Sequence, residues 1–180
     1  MQARKDLQVM GIREKLHPYP NSSKFPPSCF NMKKDKKDIF LKVLNNVVFP
    51  DNYASNISRC VDVKKRKISN LKSHDSHILM EHLLPIACRR ALPKEVTSLL
   101  IELCNYFREI SSKVLDVKHV KNLQQRIWLN HANMEAIFPP SFFTIMFHLV
   151  IHIGEEAILA GPVQGHWMYP VERYIIFLVS

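Results

Sequence analysis

Residues 92–110 read Leu-Pro-Lys-Glu-Val-Thr-Ser-Leu-Leu-Ile-Glu-Leu-Cys-Asn-Tyr-Phe-Arg-Glu-Ile. Pro93 suits the first turn of a helix, where a missing N–H costs nothing. Behind it Val96, Leu99, Leu100, Leu103, Cys104, Phe107 and Ile110 recur at three- and four-residue spacing, which gives an apolar stripe. The segment 117–131 repeats the pattern with Val120, Leu123, Ile127 and Trp128. These two segments predict a mainly α chain, an irregular bundle of about five or six helices.

Downstream, Phe138-Pro139-Pro140 breaks the chain, Ser141 caps, and an apolar helix is predicted to run to Leu159, where Gly161-Pro162 ends it. Pro170 to Leu178 reads as a helix or a strand, because Tyr174-Ile-Ile-Phe-Leu-Val is apolar on every face. Upstream, Ser73 or Asp75 is a good N-cap for a helix carrying Ile78, Leu79, Leu83, Leu84 and Ala87, which Pro85 would kink or shorten. Residues 58–70 alternate weakly and fit either a short hairpin or a loop. The lysines of 33–37 lead into Ile39, Leu41, Leu44 and Val47–Val48, a short helix that ends before Phe49-Pro50-Asp51. Residues 1–16 form a basic amphipathic piece with Leu7, Met10, Ile12 and Leu16 as anchors, and the prolines of 17–30 make a linker. The expected organisation is therefore an arm and Pro-rich linker over 1–30 and one helical domain over 31–180.

A chain of 180 residues can bury a core of ordinary size. Four glycines against eleven prolines, and no Gly-x-Gly-x-x-Gly or Gly-x-x-x-x-Gly-Lys pattern, exclude the usual nucleotide-binding loops. A formal charge of +9 points to an acidic partner, nucleic acid before an anionic membrane. Cys29, Cys60, Cys88 and Cys104 form no Cys-x-x-Cys pair, and the last two sit in helical patterns as reduced core thiols. The charged N-terminus lacks a signal core, and the nearly uncharged run 138–154 is too short to span a bilayer. A soluble intracellular protein is expected, with no glycan on the Asn56-Ile57-Ser58 sequon.

Four groups of residues carry candidate chemistry. Lys64-Lys65-Arg66-Lys67, with Lys72, is the densest basic patch; DNA phosphates are its natural partner, and a nuclear-import signal or a solvated loop are the other readings. No aromatic residue interleaves it, so stacking of single-stranded bases is not indicated. His148 and His152, followed by Glu155 and Glu156 and then His166, offer metal ligands one helical turn apart, yet the glutamates do not lie between the histidines. The bland alternative is a polar seam on a mostly buried helix. His74, Asp75, His77, Glu81 and His82 form a second polar cluster that a capped helix start explains. Glu172 is a first-turn glutamate on composition alone.

Seven blocks, in order, resemble one family: Ala3 to Arg13, Phe49 to Cys60, Leu71 to His77, Leu100 to Asn105, Phe138 to Phe143, Leu159 to Gln164 and Trp167 to Arg173. It is the plant domain of unknown function that lies downstream of the transposase domain in CACTA (En/Spm-like) DNA transposons. The resemblance implies a nuclear protein of transposon origin. It also implies a parent enzyme whose acidic residues hold two divalent metals for strand cleavage and transfer. The first acidic residues of that set are expected upstream of the Ala3-Arg4 block, and Glu172 matches the third acidic position as a vestigial ligand. Family members continue past the Glu-Arg block, so a truncated C-terminal end is expected. The chain is then a non-catalytic transposase fragment without a cofactor of its own. It would bind DNA, the catalytic core or itself through apolar helices, with no membrane. The alternative is a helical protein-interaction module without DNA binding.

Overall fold

A computed structural model of the chain describes residues 2–20, 24–28, 31–50, 56–139 and 142–162. The chain is mainly α, as its periodicity predicts. Helices α1 (Gln2–Val9) and α2 (Lys34–Asn45) precede a two-stranded antiparallel hairpin, β1 (Val61–Asp62) and β2 (Lys67–Ile68), with Val61 opposite Ile68. Then come α3 (Ser73–Ile78), a π-helical turn (Leu79–Leu83), α4 (Leu84–Cys88), α5 (Lys94–Ile110), α6 (Val117–Ile137), α7 (Ile145–Leu149) and α8 (Ile153–Ala160).

Helix α5 is the central element. Its first half meets α4 and the π turn, and its length packs along α6 and touches α8. Leu41, Leu44, Ile57, Leu83, Ala87 and Cys88 form a core on the α2–α4 side. Tyr106, Ile110, Val120, Leu123 and Ile127 form a second core with Val150 and Ala157, and Val96, Met134 and Phe138 form a third. Leu100 and Leu103 of α5 bridge these cores, so the helix reads apolar over a wide arc. Burying a side chain the size of Ile127 or Leu44 is worth about 1.5–3 kcal/mol.

Local chemistry sets the helix ends. Pro93 occupies the N-cap of α5 rather than its first turn, and its carbonyl accepts the Thr97 N–H at 2.9 Å. Buried Thr97 also sends its hydroxyl to the Cys88 and Leu92 carbonyls, both at 3.3 Å, and so satisfies the end of α4. Asp116 caps α6 by accepting the His119 N–H at 3.0 Å. The N-cap of α3 is Lys72, and neither Ser73 nor Asp75 takes that place. Asp75 sits three residues in and accepts the Lys72 N–H at 3.1 Å, the carboxylate half of a capping box. Gly161, at φ +88°, closes α8 as expected.

Several expectations are corrected. Pro85 does not end its helix: the chain widens into the π turn just before it, with the Leu84 N–H reaching back five residues to the Leu79 carbonyl. That turn absorbs the missing proline donor. The predicted helix up to Leu159 is broken into α7 and α8 by a tight turn at 150–152. No residue of α7 is buried, so a mostly buried helix is not what carries His148. Helix α6 runs past His131 to Ile137, and Trp128 on it is half exposed rather than in the core. Ile39 and Val48 point outward, and Phe40 takes the core position beside Leu41. Met10 and Ile12 are exposed rather than anchoring the N-terminal piece.

That piece is held by Arg13. Its guanidinium donates to the Phe138 carbonyl at 2.9 Å and to the Glu135 carbonyl, two acceptors at the C-terminal end of α6. A cation there also meets the negative end of the helix dipole. Arg13 and Arg66 both have left-handed backbone (φ +53° and +52°), and each sends its side chain to a distant partner.

Candidate nucleic-acid interface

Residues 64–66 of the basic run lie in the loop of the hairpin, and Lys67 begins β2 opposite Asp62. Asp62 shapes it by accepting the Lys65 N–H at 2.9 Å, and Arg66 closes it in the left-handed conformation. The Arg66 side chain then leaves the loop and binds Asp38 of α2 with two hydrogen bonds, at 2.6 and 2.9 Å. This fork-to-fork pairing pulls the Asp38 carboxyl below its usual value of 3.8, the hydrogen bond from Arg66 being the main cause. Arg66 is therefore committed to the fold, while Lys64, Lys65 and Lys67 remain exposed beside it. Lys65 makes only a long 3.9 Å pair with Asp62.

The pairing joins two basic segments that are far apart in sequence. Lys34 and Lys42 lie one turn before and after Asp38 on α2, on the stripe the hairpin meets, and both are exposed. Lys42 is close enough to favour the Asp38 carboxylate. Lys72 is exposed just beyond the hairpin, at the start of α3. Residue order alone hid the contribution of α2. The signal is the lysine-rich run of 33–37, which leads into that helix.

The two histidine groups differ. His148 lies in the last turn of α7 and His152 stands at the N-cap position of α8, and the turn between them keeps their Nε2 atoms 3.3 Å apart at the surface. Two side chains, one from α5 and one from α6, set that turn. The buried Tyr106 hydroxyl donates to the Val150 carbonyl at 3.1 Å, and the Trp128 indole donates to the Ile151 carbonyl at 3.4 Å. Burial pushes the Tyr106 phenol up to about 12, against a smaller opposing effect of the Gly154 backbone. In the second group Asp75 is buried and used by the Lys72 amide, and His82 lies 3.8 Å from Glu81. Among the described residues no three His, Cys, Asp or Glu side chains converge on a metal position. Glu155 and Glu156 are exposed on α8. Glu172, His166, Ser141 and Cys29 lie outside the described residues.

Cys88 and Cys104 are free, buried thiols, both pushed up to about 11 by burial. They are inert core residues on that chemistry. His131, also buried, stacks on Phe147 at 4.2 Å between ring centres. Its Nδ1 has no hydrogen-bond partner among the described residues, and burial lowers its pKa below 6.5. No described helix is long and apolar enough to cross a membrane.

Residues 110–180 match a protein family described as Domain of unknown function (DUF4218). Three of the seven resembling blocks, at Phe138, Leu159 and Trp167, fall inside that span. No curated protein and no solved structure matches the chain.

Proposed function

We propose that this chain is a helical domain associated with DNA transposition, of the CACTA (En/Spm-like) kind, that works in the nucleus by holding duplex DNA through its phosphates. The observation that carries this is the Arg66–Asp38 clamp, which docks a lysine-tipped hairpin against a lysine-lined helix. Lys64, Lys65, Lys67 and Lys72 supply the phosphate contacts and Arg66 positions them. Point charges on flexible stems suit backbone contact without base readout. The sequence blocks and the match over 110–180 support the transposon origin. In this reading the chain contributes DNA contact, and strand-transfer chemistry with its divalent metals belongs to an intact parent enzyme, where Glu172 would be a vestigial ligand.

Binding of the full chain to duplex DNA across a salt series tests the proposal. If the four lysines each neutralise one phosphate, log affinity falls with log salt at a slope of about −3.6. Changing Lys64, Lys65 and Lys67 together to Ala should flatten that slope by about 2.7. A slope near zero, or one that the triple variant leaves unchanged, overturns the DNA role.

A second reading rests on α7, where Ile145, Met146 and Leu149 are exposed. Such a face fits a protein partner, the transposase core or a second copy. Light scattering on the purified chain separates the two readings, since a concentration-independent monomer argues against self-association.

A further inference from the structure

The surface pair His148 and His152 has ligand geometry. Two imidazole nitrogens on one tetrahedral zinc, each about 2.0–2.1 Å from the metal, stand about 3.3–3.4 Å apart. The two Nε2 atoms stand 3.3 Å apart, with the rings crossed at 68°. The same spacing lets the two rings share a hydrogen bond when one of them carries its proton on Nε2, a bond that a metal ion would replace.

The pair is also built rather than incidental. A continuous helix would hold the two side chains one turn apart on its own, but here the helix is broken between them. The spacing is instead kept by Tyr106 and Trp128, which hold the Val150 and Ile151 carbonyls of the intervening turn. Two helices of the core thus fix the backbone that presents the two rings. Supporting groups of this kind orient metal ligands.

We propose that His148 and His152 chelate one divalent transition-metal ion of the class imidazole prefers (zinc, nickel or copper) at a surface clip that joins α7 to α8. No third described side chain completes the shell. Among the described residues two coordination positions are left to water or to an external ligand, which makes the clip an open site there. The site is separate from the DNA surface, since α8 packs on α5 and α6 whereas the hairpin packs on α2.

Titration calorimetry of the tag-free full chain with zinc chloride and with nickel chloride tests it. The expected result is one ion per chain at micromolar affinity, weakened more than about tenfold by either H148Q or H152Q. The double variant H74Q/H77Q should bind as the parent does. Trp128→Phe should bind more weakly than the parent while its circular dichroism is unchanged, because Trp128 positions the turn without touching the ion. Histidine side-chain resonances in proton–nitrogen spectra give a second measurement, since those of His148 and His152 should shift together on metal addition. The proposal is overturned by absence of binding at about a hundred micromolar metal, by binding that survives both H148Q and H152Q, or by binding lost in H74Q/H77Q instead.

Discussion

The Arg66 guanidinium grips Asp38 through both carboxylate oxygens, at 2.6 and 2.9 Å, across 28 residues of sequence. The pair is partly exposed, so its weight lies in orientation more than in stability. Asp38→Ala should leave the chain folded, free the hairpin from α2 and weaken duplex DNA binding, although it removes a negative charge. Charge counting alone gives the opposite sign, so fluorescence anisotropy of D38A against a D35A control decides between geometry and net charge. Because the folded carboxyl is held below 3.8, its contribution is complete above that value and is lost as pH falls through the lower folded one.

Tyr106→Phe removes one oxygen and leaves the Val150 carbonyl without its donor. The ring stays in place, so the cost is that of a buried unsatisfied acceptor, about 1–3 kcal/mol. Urea unfolding should show a lower midpoint at unchanged slope. The parent should also lose stability as pH rises from about 10 to about 12, because the folded phenol resists ionisation and the unfolded one does not. Tyr106→Phe should lack that part of the alkaline loss.

His131 gives an acid limb. Its imidazole is kept neutral mainly by burial and secondarily by His148, with Glu135 opposing. Its contribution is present above 6.5 and is lost as pH falls through the lower folded value. His131→Phe preserves the stacking on Phe147 and removes the proton, so thermal midpoints between pH 7 and 5 should fall less for the variant than for the parent.

Gln124 faces α8, where a Cβ built on Gly154 would lie 3.4 Å from the Gln124 Cβ. The Gln124 Nε2 is buried and has no hydrogen-bond partner among the described residues. Replacing it by Met keeps the volume and removes an unmet donor, so Q124M should raise stability by about 1 kcal/mol. A loss of that size in chemical denaturation would show that the amide has a partner after all.

The stripe from Val96 to Ile110 and the proline just ahead of it made α5 legible, because period and start signal agree there, whereas α6 was legible from its period alone and its last six residues were not. Tyr106 was not picked out, although it is almost fully buried, since α5 has neighbours on two sides and buries more than one stripe. The break between α7 and α8 was illegible for a related reason. An apolar run has no phase to interrupt, and the carbonyls of the break are taken by side chains from two other helices. The β-branched Val150, Ile151 and Ile153 were the available hint. At the candidate interface, four adjacent basic residues looked equivalent in sequence. Only the fold separates Arg66, spent on Asp38, from the exposed lysines around it.

The π turn has a consequence for how the helix from Ser73 to Cys88 is phased. Ile78 and Leu83 are both buried although five residues separate them, and Ala87 follows four residues later. An unbroken α-helix would set His82, not Leu83, beneath Ile78 and turn an imidazole into the leucine-rich core. The wide turn acts as a one-residue phase shifter, bringing two apolar stripes of different register into a single line. Replacing Pro85 with Ala restores a donor but not the register, so the wide turn should persist in that variant.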